Sequence, residues 1–440
     1  MNKKHLLSVY YESFRDYLHF EDTPRLTVLR NASKDFTRDR ILTLPLVGAF
    51  CLSLLKLSLN VELTNLFDLL GCPTKTPTKS ALVQARKKIL PAYFSNLFDL
   101  TVTKYYSLFK AKRWHGFLLC AVDGSEMLLP NTAQLREAFG TSSNQHVELA
   151  TAKWVSVFDV LNQIMTKVVF YKNGSSELYT ALEFVKTFSC DVLAIYDRGY
   201  SGQILLYAHQ IFGSNCIIRV PIDFSDTVKA FMQSKDVSRI ICEPLSRKAL
   251  KAIKLLGLPM NEEATITYRL VKVTLPDGTV EVLTTTLTNQ KKYRYSIFGW
   301  LYAQRWGIET SFFVLKSFLD ITNVSSVIPN NCWQDLWARF AMYNIQTVSF
   351  IPSAAKLERL NKGRKHNYQP NRNVTGGLLK KVIIRIMLSH GNPTEITTQY
   401  DIKVLNTVEA IRRERNNQRK SRKLKVTRGR HRVETNFKRN

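Results

Sequence analysis

The segment FLLCAVDGS, residues 117–125, is an apolar run that ends at Asp123, and the segment VLAIYDRGY, residues 192–200, repeats this pattern with Asp197. Uncharged apolar runs of about four to eight residues are typical of buried strands. In open α/β sheets, functional side chains gather beyond the carboxyl ends of the strands. The sequence therefore predicts that Asp123 and Asp197 emerge side by side at one edge of a sheet.

The residues between these two runs predict that the sheet is mixed. Segments 151–159 and 163–171 alternate in a way that favours two strands joined by a tight turn near Leu161-Asn162, and segment 177–189 favours a helix. The predicted order along the chain is three meandering strands, a helix, a strand and a helix. This is the order of a ribonuclease-H-like α/β core with helices on the faces of the sheet.

The rest of the chain adds a helical N-terminal domain, a β-rich insertion and a basic C-terminal tail. The predicted elements after the first part of the core are a helix at 247–256, strands at 264–274 and 279–287 around a turn at Pro276-Asp277-Gly278, and long helices at 298–319 and 332–350. The predicted boundaries are 1–110 for the helical domain, 111–219 for the first part of the core, 220–295 for the insertion, 296–350 for completion of the core, and 351–440 for a C-terminal helical region with its tail.

The N-terminal domain contains a candidate DNA-binding motif. Apolar residues recur at helical spacing through 46–70, and a second helix is predicted at 81–90 with Thr78 or Ser80 as its N-cap. A loop at 71–77 separates the two. The second helix carries three consecutive cations, Arg86, Lys87 and Lys88. The pattern is compatible with a helix-turn-helix on DNA, and equally with a plain helical bundle that has a basic surface.

The charge of the chain favours a polyanionic partner. Lys and Arg number 63 against 35 Asp and Glu, which gives a net charge of +28. Residues 411–440 alone hold 13 Lys and Arg against two acids. We expect this tail to continue a helix from about Val408 and then fray, because charges this dense repel one another. A solvated charge run is the alternative, but the basic body of the protein favours contact with DNA.

Several other classes of protein are disfavoured. The most apolar uncharged run, 41–55, contains Pro45 and is shorter than the roughly 18 residues that span a bilayer. The first 20 residues have scattered charges and no apolar signal-peptide core. Seven cysteines without a CxxC spacing argue against a disulfide framework or a zinc knuckle. We therefore expect a cytosolic protein that has no association with membranes.

A third acidic residue follows in the helix predicted at 298–319. At 100° per residue, one stripe about 60° wide and about 21 Å long holds four polar side chains: Tyr302, Arg305, Glu309 and Lys316. Glu309 would complete a carboxylate set for a hard divalent cation, while Arg305 and Lys316 would hold phosphates. The alternatives are ordinary ones: an i,i+4 pair on a surface helix for Arg305 with Glu309, and helix caps or turns for each strand-end aspartate.

The run Tyr302-x2-Arg305-x3-Glu309-x6-Lys316 resembles the YREK signature of bacterial insertion-sequence transposases of the IS-4 family. Asp123-Gly124-Ser125 and Asp197-Arg198-Gly199-Tyr200 also resemble runs of that family. So does Lys79-Ser80-Ala81 with Gln84, Ala85 and Arg86. The resemblance covers about residues 40–400 and implies that Asp123, Asp197 and Glu309 form a DDE triad.

The resemblance implies a DNA transposase that performs cut-and-paste transposition. Asp123, Asp197 and Glu309 would hold Mg²⁺ or Mn²⁺, as two ions. Tyr302, Arg305 and Lys316 would bind DNA phosphates near the cut. The partners would be double-stranded DNA, as terminal inverted repeats and as target, and a second copy of the chain in a synaptic homodimer. Excision would pass through a hairpin before strand transfer, in the bacterial cytoplasm at the nucleoid. A ribonuclease-H-like nuclease and a catalytically silent DNA-binding regulator are the alternatives.

Overall fold

The computed structural model describes residues 3–19, 25–53, 57–143, 148–172, 176–260, 265–388 and 392–411. In these ranges the chain before the first strand is helical, as predicted. Its helices are α1 (Lys3–His19), α2 (Arg25–Val28), α3 (Leu44–Ser53), α4 (Leu59–Leu69), α5 (Lys79–Arg86) and α6 (Ala92–Leu108). The predicted N-cap of α5 is confirmed, because Thr78 accepts a hydrogen bond from the Ala81 N–H at 3.2 Å.

The middle of the chain forms a mixed sheet, which confirms the predicted α/β class. Its elements are β1 (Leu118–Leu128), α7 (Ala133–Phe139), β2 (Thr141–Ser143), β3 (Glu148–Asp159), β4 (Ile164–Tyr171), α8 (Glu177–Val185), β5 (Val192–Tyr196), α9 (Gln203–Phe212) and β6 (Asn215–Val220). Strands β4, β3 and β1 are antiparallel neighbours, whereas β1, β5 and β6 run parallel to one another. Helix α7 and strands β2 and β6 were not predicted.

Strand β1 is longer than the sequence pattern predicts. The prediction that it ends before Asp123 is wrong, because its two neighbours have different lengths. Parallel pairing with β5 stops at Val122 opposite Tyr196. Antiparallel pairing with β3 continues as far as Leu128 opposite Thr151. Asp123 therefore lies inside a strand that is paired on one side only.

The strands of the predicted insertion extend the central sheet. This region contains α10 (Asp226–Gln233), β7 (Ser238–Pro244), α11 (Arg247–Leu255), β8 (Thr265–Thr274) and β9 (Val280–Thr285). The predicted ribbon is confirmed as β8 and β9, while α10 and β7 were missed. Because β9 pairs antiparallel with β6, the sheet follows the order β2-β3-β1-β5-β6-β9-β8-β7, and β4 pairs with β3 off this path.

The last part of the described chain is mostly helical. Its elements are α12 (Phe298–Ala303), α13 (Trp306–Ser317), α14 (Pro329–Ser349), α15 (Ile351–Asn361), β10 (Tyr368–Pro370), α16 (Arg372–Leu388), α17 (Pro393–Leu405) and β11 (Val408–Ala410). The predicted helix from about Val408 is wrong, because β11 instead pairs antiparallel with β10. The basic stretch 412–440, where we expect DNA contact, lies outside the described residues.

The single helix predicted at 298–319 is two helices, α12 and α13. The backbone between them tightens to i→i−3 hydrogen bonds, in which Arg305 N–H donates to the Tyr302 carbonyl at 3.0 Å and Gly307 N–H to the Gln304 carbonyl at 3.0 Å. Short 3₁₀ turns of this kind are common at helix ends and as connectors. The predicted stripe of polar side chains is therefore divided between two helices.

Helix α14 is the centre of the packing. It is buried along most of its length, between the N-terminal helices and one face of the sheet. Phe340 of α14 contacts Phe98 of α6 on one side and Trp154 of β3 on the other, with ring centroids 6.2 and 5.8 Å apart. The N-terminal helices therefore share a single hydrophobic core with the sheet. Among the described helices, α14 included, none is long and apolar enough to cross a membrane.

Arg86 lies in this shared core and cannot face DNA. Its side chain is fully buried and donates hydrogen bonds to Gln334 Oε1 at 2.9 Å and Asp335 Oδ1 at 2.8 Å, both on α14. It also donates to Ser325 Oγ at 2.6 Å. Of the three cations predicted on a DNA-facing helix, only Lys87 and Lys88 remain partly accessible to solvent.

We predict that Arg86→Met lowers the free energy of unfolding by about 3–5 kcal/mol, because it removes the counter-charge that is hydrogen-bonded to the buried Asp335 carboxylate. Urea unfolding followed by circular dichroism measures this. The matched control is the partly exposed neighbour, Lys87→Met, for which we expect a change of at most about 0.5 kcal/mol. Equal effects of the two substitutions would contradict the assigned role of Arg86.

A buried histidine supports the strand that precedes Asp197. His209 of α9 lies with Nε2 2.9 Å from the Tyr196 hydroxyl and Nδ1 2.7 Å from Ser214 Oγ. Burial lowers the pKa of His209 from 6.5 to about 3. The folded protein therefore keeps this imidazole neutral over a pH range in which the unfolded chain protonates it.

We predict that this histidine makes the protein less stable in acid. Above pH 6.5 both states are neutral, so His209 has no pH-dependent effect. Below that pH only the unfolded state takes up the proton, and the free energy of unfolding falls by about 1.4 kcal/mol per pH unit down to the folded-state pKa. Urea titrations at pH 7, 6 and 5 should show a shallower loss for His209→Gln. Parallel losses in the two proteins would count against the prediction.

Candidate active site

The register of β1 and β5 brings the two predicted aspartates together. Val122 and Tyr196 are the last residues paired between these parallel strands, and Asp123 and Asp197 follow them directly. Side chains alternate between the two faces of a sheet. Both aspartates therefore point to the face of the sheet that is covered by α12 and α13, which we call the α13 face. The buried apolar residue two positions before each aspartate packs on this same face.

Helices α12 and α13 bring three of the predicted side chains to these aspartates. The Tyr302 hydroxyl donates to Asp197 Oδ1 at 3.1 Å. The Arg305 guanidinium lies between two carboxylates, with Nη1 3.7 Å from Asp123 Oδ2 and Nη2 2.9 Å from Glu309 Oε1. Arg305 is only 4% exposed, and its Nε lacks a hydrogen-bond partner among the described residues.

Lys316 is the one predicted site residue that lies apart from this group. Its Nζ is 5.8 Å from the centre of the Trp154 ring. Burial lowers the pKa of Lys316, and the negative charge of Glu126 opposes that change. In the described part of the chain its amine makes no ion pair with Asp123, Asp197 or Glu309. The stripe predicted for a continuous helix thus holds as far as Glu309.

Sequence reasoning missed a second arginine at the site. Arg219 of β6 lies with Nε 3.4 Å from Asp197 Oδ1, and its Nη1 is paired with Glu281 of β9. The guanidinium also lies 6.0 Å from the centre of the Tyr302 ring. The available signal was an arginine inside the apolar strand NCIIRV, 215–220, where a charge is retained only if it has a partner.

The two aspartates differ in their electrostatic environment. Burial raises the pKa of Asp123 from 3.8 to about 6, and the charges of Glu177 and Asp197 add to that rise, while the Gly124 N–H and Arg305 oppose it. Burial alone would also raise the pKa of Asp197. There a bond from the Arg198 N–H and the charges of Arg305 and Arg219 prevail, and the pKa is lowered. At neutral pH Asp197 is thus the more strongly ionised of the two.

The donor set suits a hard divalent cation, because carboxylate oxygens are the ligands that Mg²⁺ prefers. No three Asp, Glu, His or Cys side chains in the described ranges converge closely enough to hold one ion. The positive charge between Asp123 and Glu309 is instead the Arg305 guanidinium. A cation held by these two carboxylates together would therefore require that guanidinium to move.

A second polar surface lies on the N-terminal helices. A cleft of about 1060 Å³ opens between α5 and the segment that precedes α3. Its cationic lining residues are Lys34, Arg38, Arg40 and Lys88. Four cations without an acidic residue in the lining make this cleft complementary to a polyanion.

The family model described as "Transposase DDE domain" matches residues 114–345, which is more than half of the chain. The chain belongs to this transposase DDE family. The matched region runs from just before β1 into α14, and it contains all six predicted site residues. The resemblance to insertion-sequence transposases inferred from the sequence is thereby confirmed.

Two curated relatives come from Escherichia coli K12. The transposase InsG of insertion sequence element IS4 is 24% identical over 286 residues, which cover 63% of this chain and 62% of InsG. The putative transposase InsZ is 26% identical over 137 residues, covering 30% of this chain and 46% of InsZ. The chain thus spans less than two thirds of either relative. A solved piggyBac transposase synaptic complex with hairpin DNA aligns with a TM-score of 0.45 and 12% identity, over 88% of this chain and 80% of that one.

We predict that Arg305 competes with a divalent cation for the DDE-family site. In Arg305→Met the carboxylates lose their counter-charge, so Mn²⁺ should raise the melting temperature by more than it does in the wild type. A tenfold gain in affinity corresponds to about 1.4 kcal/mol at saturation. Differential scanning fluorimetry with and without Mn²⁺ measures this.

The control for this measurement is Arg239→Met, which removes an arginine from an exposed pair with Asp236 in the β7 region. We expect its Mn²⁺ response to equal that of the wild type. A response of Arg305→Met no greater than that of Arg239→Met would show that the guanidinium does not compete with the metal.

Proposed function

We propose that this protein is a metal-dependent DNA transposase in which Asp123, Asp197 and Glu309 are the catalytic carboxylates. The observation that carries the proposal is the convergence of Asp123 and Asp197, which follow the last β1–β5 residue pair, with Tyr302, Arg305 and Glu309 inside the region matched by the family model. The strand order β4-β3-β1-β5-β6 supports a ribonuclease-H-like core. Its antiparallel half precedes its parallel half along the chain, as the sequence predicts.

We infer that two divalent cations, Mg²⁺ or Mn²⁺, are held by these three carboxylates. When bound, such ions activate the attacking oxygen and stabilise the leaving oxygen in an in-line displacement at phosphorus. Tyr302 orients the Asp197 carboxylate through its hydrogen bond, and Arg219 adds positive charge at the same oxygen. These contacts keep Asp197 ionised at neutral pH and ready to accept a cation.

Arg305 and Lys316 would bind phosphates of the DNA near the cut. A guanidinium binds phosphate oxygens in a bidentate fork, as it binds a carboxylate. The phosphate of an entering strand would therefore draw Arg305 from Glu309, and Glu309 would then be free to bind metal. Lys316, further along α13, would contact the backbone as a compact charge.

The DNA would extend from this site onto other basic surfaces. The net charge of +28 favours a polyanionic partner, and the cleft at Lys34, Arg38, Arg40 and Lys88 offers a concentration of cations for the phosphate backbone. We therefore propose that the N-terminal helices contact double-stranded DNA through this cleft. The tail, 412–440, would add contacts that do not depend on base sequence.

The remaining features of the proposal come from the family resemblance. They are cleavage at terminal inverted repeats through a hairpin, strand transfer into target DNA, a synaptic homodimer, and action in the bacterial cytoplasm at the nucleoid. A strand-transfer assay with pre-cut ends tests the activity, using duplexes that carry the inverted repeats flanking the coding sequence. A nuclease would hydrolyse DNA but would not join it, and a regulator would bind DNA without metal-dependent nicking.

We predict that Asp123→Asn, Asp197→Asn and Glu309→Gln each abolish cleavage and strand transfer in Mg²⁺. Each amide keeps the size of the side chain but removes the charge that holds the cation. Binding to the same duplexes should stay within about twofold, since phosphate contacts come from cations. Gel shifts without metal and single-turnover cleavage measure the two effects.

The control is Asp226→Asn, an exposed aspartate at the start of α10, for which we expect wild-type cleavage. A variant at Asp123, Asp197 or Glu309 that cleaves as fast as this control would exclude that residue from the triad.

A further inference from the structure

Gly124 leaves room for the carboxylate of Glu177, which a larger residue would displace. An added Cβ would lie 2.4 Å from both Cδ and Oε1 of Glu177, closer than real Cβ atoms approach any neighbour. Gly124 follows Asp123 and lies in β1 opposite Val155. The carboxylate of Glu177 thus packs directly on the backbone of β1, one residue beyond the first aspartate of the triad.

Two tyrosines hold Glu177 in this place. The Tyr200 hydroxyl donates to its Oε2 at 3.2 Å, and the Tyr171 hydroxyl donates to its Oε1 at 3.3 Å. Tyr200 is buried in the short 3₁₀ turn Arg198–Tyr200 that follows Asp197, whereas Tyr171 ends β4. Glu177 is exposed, but its two carboxylate oxygens have fixed donors. One side chain therefore links β1, the Asp197 turn and β4.

Glu177 approaches the site from the face of the sheet opposite to the metal-binding carboxylates. Cys120 and Val122, which alternate in phase with Gly124, pack into the core cluster that includes α8 and α9. Asp123 points the other way, to the α13 face. Glu177 therefore touches the backbone beside Asp123 and would act through the position of that backbone, besides the negative charge by which it raises the pKa of Asp123.

We propose that Glu177 is a positioning residue that fixes the spacing between Asp123 and Asp197. This inference rests on the proposed function, since it assigns Glu177 to the support of that catalytic pair. Beyond Val122 the parallel pairing of β1 with β5 has ended, so no strand hydrogen bond links the two aspartates. The Glu177 carboxylate replaces that link by packing on Gly124 and accepting a hydrogen bond from Tyr200.

The first test compares Glu177→Ala with Glu177→Gln in the full-length protein. The probes are Mn²⁺-dependent nicking of supercoiled plasmid, and Mn²⁺ binding read by electron paramagnetic resonance of the free ion. Loss of a group that orients metal ligands costs about tenfold to a hundredfold in affinity or rate. We expect Glu177→Ala to lose at least about tenfold in both measurements, with unchanged binding to a short duplex.

Glu177→Gln separates position from charge. The amide keeps the volume of the side chain and can hydrogen-bond both tyrosine hydroxyls, so we expect it to stay within about threefold of the wild type. Glu183→Ala, on the same helix and paired with the exposed Lys186, is the matched control and should equal the wild type. A loss in Glu177→Gln as large as that in Glu177→Ala would assign the effect to negative charge and overturn the proposal.

A double-mutant cycle tests the contact itself. Gly124→Ala should displace the carboxylate and lose about as much as Glu177→Ala. In Gly124→Ala/Glu177→Ala the added methyl group meets no carboxylate, so the double variant should be no worse than Glu177→Ala alone. Losses that add independently would overturn the proposal, because residues that act through one contact are not additive.

Failure of this inference and failure of the proposed function give different results. If the wild-type protein neither nicks nor joins DNA, the proposed function fails. The Mn²⁺ affinity and the melting temperature of the four proteins in the double-mutant cycle then still test the Glu177–Gly124 contact. If Glu177→Ala does not fold, Gly124→Ala and Glu177→Gln carry the test. A folded Gly124→Ala variant that binds Mn²⁺ as tightly as the wild type would then contradict the proposed role of Glu177.

Discussion

The parallel pairing of β1 with β5 is the constraint on which the site depends. Its last residue pair, Val122 with Tyr196, leaves the next residue of each strand as an aspartate on the same face of the sheet. A shift of the register by one residue would send one carboxylate to the opposite face. The buried partners of these strands, including His209 against Tyr196, keep the register fixed. Every other group at the site is arranged around this pair.

Three partly buried acidic side chains lie close together at the site, and two arginines supply positive charge beside them. Arg305 stands between Asp123 and Glu309, and Arg219 stands between Asp197 and Glu281. Buried charges are tolerated only when they are paired. The arginines therefore compensate the negative charge of the acids within the folded chain itself.

The core strands and the two aspartates could be predicted from the sequence because both depend on local pattern. Apolar runs that end at Asp123 and Asp197 identify their own strands, and the spacing of Tyr302, Arg305 and Glu309 identifies one helical face. Whatever depends on a distant partner was not predictable. The length of β1 is set by β3, and the burial of Arg86 by Asp335, which is far away along the chain.

The 3₁₀ turn between α12 and α13 is another feature that the sequence pattern did not predict. Helical periodicity does not distinguish i→i−4 from i→i−3 hydrogen bonds over a single turn, so one continuous helix was predicted. The role of Gly124 was hidden for a related reason. A glycine in a strand signals a close approach, but the identity of the approaching side chain, Glu177, follows only from the tertiary fold.

The shared core has a consequence for how the chain is made. The N-terminal helices leave the ribosome first, yet the surface they pack on, helix α14, is synthesised more than two hundred residues later than α6. Until Phe340 and Asp335 leave the ribosome, Phe98 lacks its packing partner and Arg86 lacks its counter-charge. The nascent chain therefore exposes an apolar, cationic helical segment throughout most of its synthesis, a state that holdase chaperones and nearby polyanions are suited to shield. Order of synthesis and order of packing run in opposite directions in this protein.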